Sequence, residues 1–246
     1  MKKTNRYLVY LLFALASFTV NASESIDGDD IRSKAVPVTD EPLHIVRYDA
    51  PPFLIYTNYI MPGTWTLYHR HRTDLLALIA GDAQVSGQVA GEAAVLQAAP
   101  GGSAIFFPYG DLAEPYVHRV GAFGEKPFVN VGLEFHDPMG TQCEGVTRWE
   151  DPVIEAVTSN RRGSAYRLVL DMGASIELPG QGRGLMLVPL APLGPAPRLQ
   201  LDATTWTPAL GDFRFYSDSS NSTSARPTRL TNVGEYNIGF TVFVAC

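Results

Sequence analysis

A turn pattern that recurs at one spacing constrains this chain more than any other feature. Pro62-Gly63 is matched by Met172-Gly173, Gly102 by Gly211, His118-Arg119-Val120 by Thr228-Arg229-Leu230 and Gly124-Glu125 by Gly234-Glu235, at offsets of 110, 109, 110 and 110. Four coincidences at nearly one spacing are what a duplicated unit leaves behind. Between the turns lie short apolar runs such as FLIYTNYI, LLALIAG, SAIFFP and FVNVGLEF, then YRLVLDM, GLMLVPLA and IGFTVFVA. With 22 Gly and 18 Pro in 246 residues, the chain is punctuated too often for a coiled coil or a helix bundle. A hydrophobic content of 46% also excludes disorder. The expectation is an all-β chain built as two tandem units, each a sandwich or a barrel.

The ends set the boundaries. Lys2, Lys3 and Arg6 precede an apolar run of 13 residues, Leu8 to Val20, which closes on Val20-Asn21-Ala22 with small residues where a signal peptidase reads. Thirteen falls short of the roughly 20 needed to span a bilayer. Residues 1–22 therefore read as a secretory signal cut after Ala22, not as a stable membrane anchor, and the expected location is periplasmic or secreted. Residues 23–40 are polar and acidic without an apolar period and read as a flexible lead-in. The first β unit is expected over 41–147, a linker with a helix around Asp151 to Asn160 over 148–164, and the second β unit over 165–246. Loss of the signal lowers the basic count from 19 to 16 against 25 acidic residues, a net charge of −9. An acidic protein is a poor partner for nucleic acid, which needs a basic face.

Export would place Cys143 and Cys246 in an oxidising compartment. A disulfide between them would close a loop of about a hundred residues, for which chain entropy gives about 4.7 kcal/mol. Two separate buried thiols are the alternative, since sequence does not supply the Cα spacing a bridge requires.

The chemistry gathers in the first block. His69 and His71 stand two apart in a β-type run, so both imidazoles leave one face of the strand. Asp74 opens the next strand, where its carboxylate could join them, and His118 begins a later one. Three histidines and a carboxylate suit one divalent transition metal, Fe, Mn, Zn, Ni or Cu. His44 and His136 flank strand ends, where surface or hydrogen-bonded roles are expected.

The wider spacing, Gly63-x5-His69-x-His71, Asp74-x6-Gly81, then Gly102-x5-Pro108-x-Gly110 and His118, resembles the paired motifs of the cupin superfamily. That resemblance implies a jelly-roll barrel with one internal metal, its ligands falling on His69, His71, Asp74 and His118. Two departures stand out. Asp74 replaces the usual Glu, reaches about one methylene less far and follows His71 more closely, and seven residues rather than two separate Gly110 from His118. The longer loop carries Asp111, Glu114, Pro115 and Tyr116, able to contact a ligand or to form a solvated edge.

Strand parity gives the expected lining. Trp65 and Leu67 share the histidine face, Trp65 as core filler or pocket wall. Leu76 and Leu78 share the side of Asp74, and Phe106 packs inside. On the last strand of the block Val129, Val131, Leu133 and Phe135 form the apolar face, with Asn130 and Glu134 outward. In the second block the metal positions become Pro179, Gln181, Gly184 and Thr228, a set unfit for a transition metal. The resemblance implies either an oxygenase or lyase acting on a small organic molecule, with Tyr109, Glu114 or Tyr116 as acid-base partners, or a non-catalytic small-molecule or metal-binding protein.

Overall fold

The computed structural model describes residues 27–136, 149–180, 184–217 and 227–246. Helix α1 (Gly28–Lys34) opens it. The Asp27 carboxylate accepts the Asp29 N–H, Asp29 and Asp30 stand in the first turn and Arg32 and Lys34 in the last, in the sense of the helix dipole. Residues 27–40, expected as a flexible lead-in, are instead docked. Ile31 and Ala35 pack with Ala90 and Val117, and β1 (Val36–Pro37) pairs in parallel with the first histidine strand. One apolar residue on a short polar helix suffices to fix it, a signal too small to show as a period.

The first half continues through β2 (His44–Ala50), β3 (Phe53–Ile60), β4 (His69–His71), β5 (Leu75–Ile79), β6 (Ala83–Val89), β7 (Val95–Ala99), β8 (Ala104–Phe107), β9 (Tyr116–Phe123) and β10 (Phe128–Phe135). They form two five-stranded sheets, β1-β4-β9-β6-β7 and β2-β3-β10-β5-β8. The second half holds β11 (Ile154–Asn160), β12 (Gly163–Leu170), β13 (Ser175–Glu177), β14 (Gly184–Leu190), β15 (Leu199–Leu201), β16 (Thr204–Trp206), β17 (Arg214–Ser217), β18 (Arg229–Asn232) and β19 (Ile238–Ala245). Its sheets run β11-β12-β19-β14-β17 and β13-β18-β15-β16. Among the described residues no helix is long and apolar enough to cross a membrane.

The duplication is explicit in the strands. β2 and β11, β3 and β12, β8 and β17, and β10 and β19 each begin and end 110 residues apart. The helix expected around Asp151 to Asn160 is thus strand β11, because its backbone groups pair with β12 from Ile154↔Leu168 to Asn160↔Gly163. Gly63 and Gly173 both turn at positive φ, 79° and 75°, and donate their N–H to Ala122 and Asn232, which are also 110 apart.

The equivalent sheets of the two halves pack against each other. Ile55, Leu76, Leu78, Leu133 and Phe135 meet Ala165, Met186, Val188, Phe243 and Ala245, their own counterparts at the offset of 110, so the contact is a pseudo-two-fold one. This corrects the expected lining. β10 is buried along all eight residues, and a strand covered on both faces does not disclose which face is the barrel interior. The apolar odd face, Val129 to Phe135, covers the second half. The even face points into the first barrel, where Phe128 joins Ile60, Ala77 and Ile79 and Glu134 reaches His71. Asn130 and Glu134 are therefore internal, whereas Leu76, Leu78 and Phe106 face the second half.

Alternation also lapses before β4. Residues 62–68 make only isolated bridges, Pro62 to Ala122 and Trp65 to Gly121. Thr66 turns inward, its hydroxyl accepting the Val120 N–H, and Leu67 is exposed. Trp65 lies over Gly121, where an added Cβ would come within 2.6 Å of the indole, beneath the Arg119 guanidinium at 4.7 Å. That is the face of β9 opposite His118, so Trp65 neither fills the barrel nor lines its pocket.

Candidate metal centre

Antiparallel pairing of β4 with β9 sets His69 directly across from His118 and His71 across from Tyr116. His69, His71 and His118 each offer a nitrogen within 4.8 Å of the others, a group that could hold a metal ion. His69 and His71 are buried and His118 is half-buried. Their tautomers follow from the acceptors around them. His69 Nδ1 donates to the Leu67 carbonyl at 2.9 Å and His71 Nδ1 to Glu134 Oε1 at 2.6 Å. A carbonyl or carboxylate only accepts, so each Nδ1 carries the proton and each Nε2 is left with its lone pair. His71 Nε2 lies 3.0 Å from His118 Nε2. Burial, with repulsion from neighbouring imidazoles, pushes His69 and His118 well below the usual imidazole range. Converging imidazoles, with Nδ1 of His69 and His71 anchored on Leu67 and Glu134, are the donor set a divalent transition metal requires, so the residues fit the group.

Glu134 completes this arrangement from behind. Its Oε1 also accepts from the Tyr56 hydroxyl at 3.4 Å and its Oε2 from Thr73 at 3.2 Å. An acid that orients a ligating histidine from its far nitrogen raises ligand basicity and fixes the ring. Sequence parity misses it by one face. The usable signal is an acidic residue inside a strand otherwise apolar but for Asn130, since unpaired acids are almost never fully buried.

The structure does not bring Asp74 to this group. Asp74 is fully buried, and both of its oxygens are engaged. Arg161 donates Nη2–H to Oδ1 at 2.6 Å and Nε–H to Oδ2 at 2.9 Å, Arg162 donates Nε–H to Oδ2 at 2.6 Å, and the Gly110 N–H reaches Oδ1 at 3.1 Å. Burial alone would raise its carboxyl, but the two guanidinium groups hold it below the usual carboxylate range. Parity carries the reason: Asp74 shares its side with Leu76 and Leu78, and that side faces the second half.

Tyr109 and Tyr116 stack at 4.3 Å, and the Tyr109 ring lies 5.3 Å from His71. Burial raises both hydroxyls above the ordinary tyrosine value. Both groups suit hydrogen-bond donation rather than proton abstraction. Glu114 is exposed on the loop before β9. His44, expected at the surface or in a hydrogen-bonded role, takes the second: it is buried, stacked on Tyr56 at 4.6 Å and edge-on to His69 at 4.5 Å. Burial pushes its imidazole down to about 3, and its Nδ1–H donates to the Val38 carbonyl at 3.1 Å. His136 is the surface histidine, 3.1 Å from Asp49. A cavity of about 340 Å³ opens at this end of the barrel between Val38, Leu54, Arg72, Thr73 and Glu134.

In the second half Pro179, Gly184 and Thr228 stand at the metal positions, and Gln181 lies outside the described residues. The interior there is one apolar cluster, with Leu168, Phe240 and Val244 where the first barrel has Asn58, Asn130 and Glu134. Cys143 also lies outside the described residues. Cys246 ends the chain beside β19, its N–H donating to the Arg162 carbonyl at 3.1 Å.

Neither a protein-family model nor a curated protein matches the sequence. Solved structures do match its shape. A cupin 2 conserved barrel domain protein from Leptotrichia buccalis superposes with a TM-score of 0.50 at 7% identity, over 92% of this chain and 98% of that one. The salicylate 1,2-dioxygenase of Pseudaminobacter salicylatoxidans does so at 0.51 and 13% identity, over 88% and 81%. The Escherichia coli pirin YhhW, solved in complex with nickel(II), does so at 0.52 and 10% identity, over 82% and 90%. At such identities the likeness is one of fold alone: two β-barrels of cupin-type architecture in tandem, the first carrying a histidine group that could hold a metal ion.

Proposed function

We propose that the chain is an exported metal-dependent cupin enzyme, of the oxygenase or lyase class, acting on a small organic molecule. The observation that carries this reading is the convergence of His69, His71 and His118, with the Nδ1 protons of His69 and His71 fixed on Leu67 and Glu134. These three would hold one divalent ion, Fe, Mn, Zn, Ni or Cu, with Glu134 orienting His71 and Asp74 taking no part. Such an ion, when bound, supplies Lewis acidity or access to dioxygen chemistry. The protein's own part is to exclude water with the aromatic wall of Tyr109 and Tyr116, to orient the imidazoles through Leu67 and Glu134, and to offer tyrosine protons to a ligand oxygen. Solved structures of the same fold include a salicylate dioxygenase and a nickel-bound pirin, which supports a metal site in this architecture.

A second reading, a binding protein without turnover, is favoured by one observation. Glu134, the carboxylate that touches the histidine group among the described residues, is already committed to His71, Tyr56 and Thr73, so it is not free to serve as a general base. Dioxygen uptake and substrate depletion, measured on metal-loaded and chelated protein with small acids, phenols and sugars, separate the two. Metal-dependent turnover is expected; a loaded protein inert across the panel overturns the enzymatic reading in favour of the second.

Export rests on residues 1–22, and the Cys143–Cys246 disulfide is proposed with it on compartment grounds. Mass measurement before and after reduction is expected to reveal a bridge. Two titratable thiols in native protein would contradict it.

A further inference from the structure

Polar side chains beyond the histidine group share one level of the first barrel. His44, Asn58 and Asn130 are successive cross-strand partners on β2, β3 and β10. All three face inward: His44 meets Tyr56 and His69, Asn58 stands on the face of Tyr56 and Ile60, and Asn130 on the face of Phe128 and Glu134. Asn58 is 8% exposed and Asn130 5%, and the Oδ1 of each is buried without a hydrogen-bond partner. An orphaned buried acceptor is destabilising, and two side by side call for a physical reason. The second barrel avoids the cost, placing Ile154, Leu168 and Phe240 at the same three positions. The first barrel keeps two unsatisfied carboxamide oxygens on the next two strands from His44, whose ring lies 4.5 Å from that of His69.

We infer that Asn58 and Asn130 form the recognition end of the first barrel's ligand site and take a hydroxyl group of a neutral small molecule, beside His44, whose ring lies edge-on to His69. This deepens the reading of the same interior as a small-molecule site and rests on it. The ligand chemistry follows from the partners. A carboxamide can present its oxygen or, turned over, its N–H₂, and a hydroxyl, which donates and accepts, satisfies either orientation. A charged group would find no counter-ion at this level, where the polar partners are two amides and a histidine whose Nδ1–H is already given to Val38. A hydroxyl can also accept from an amide while donating to the lone pair on His44 Nε2.

Calorimetric titration of the mature protein with phenol, myo-inositol and benzoate, metal-free and zinc-loaded, tests the inference. At least one hydroxyl probe is expected to bind, and more tightly than benzoate. Asn58→Leu and Asn130→Leu are each expected to weaken that binding about tenfold or more, as loss of one buried hydrogen bond implies. Zinc stoichiometry and thermal midpoint should not fall, since an orphaned acceptor has been removed. Should a Leu variant fail to fold, Asn→Ser at the same position shortens the side chain beyond reach and is expected to show the same loss. The inference is overturned if neither hydroxyl probe binds either form, if benzoate binds best, or if the variants bind as the parent does. A protein that holds no zinc yet binds a hydroxyl probe in an Asn58-dependent way would remove the metal reading and leave this one standing. Zinc retained without any probe bound would do the reverse.

Discussion

The two barrels share strands, register and a common interface, and differ in what fills them. In its interior the first barrel has Asn58, Asn130 and Glu134 where the second has Leu168, Phe240 and Val244, and His69 and His118 where the second has Pro179 and Thr228. One copy keeps buried polar groups that lower its stability and can do chemistry. The other fills the same interior positions with apolar side chains. Fold and function are thus divided between copies of one architecture, and Asp74, which in sequence looks like part of the function, belongs to the packing between them.

The sharpest way to break the comparison is to exchange one residue. Val244→Glu places in the second barrel the acid that Glu134 is in the first, but without histidine, tyrosine or threonine partners. Unpaired burial shifts a carboxyl by up to 3–5 units, so a loss of about 4–7 kcal/mol is expected in urea unfolding. A loss under about 1 kcal/mol would mean the two interiors are alike. Next in size is Asp74→Ala, which strips the partner from two guanidinium groups and is expected to cost about 3–5 kcal/mol while leaving metal content unchanged. The sign with pH follows from the Asp74 carboxyl being held below its unfolded value of 3.8. Its contribution is full above that value and is lost as pH falls through the lower folded-state value, so parent and variant should converge in acid. Metal lost with Asp74 would return it to the ligand set. Smaller is Glu134→Gln, expected to lower metal affinity about 10–100-fold with the fold intact, read by chelator competition. No change would make Glu134 a packing residue.

Much of this architecture is legible in the amino-acid sequence alone. Turn glycines at a constant offset disclose the duplication, since a positive-φ turn leaves few substitutes for Gly63 or Gly173. The histidine pair is legible because two residues apart on a strand means one face. Which face lies inside is not legible. Alternation in FVNVGLEF tells that one side is apolar, and an apolar side points to the barrel interior only where no second sheet covers it, as one does here. Asp74 reads as a ligand from its local spacing because Arg161 and Arg162, its partners, lie 87 and 88 residues away, a distance no local spacing reports. The burial of His44 is hidden for the same reason: its neighbours Tyr56 and His69 come from two other strands.

The central claim is that one metal sits on His69, His71 and His118 and nowhere in the second barrel. Elemental analysis of the mature protein, with X-ray absorption at the metal edge, tests it most directly. The account predicts one transition metal per chain, an imidazole-rich shell, and loss of the metal in His71→Ala. No stoichiometric metal, or metal retained unchanged in His71→Ala, would contradict it.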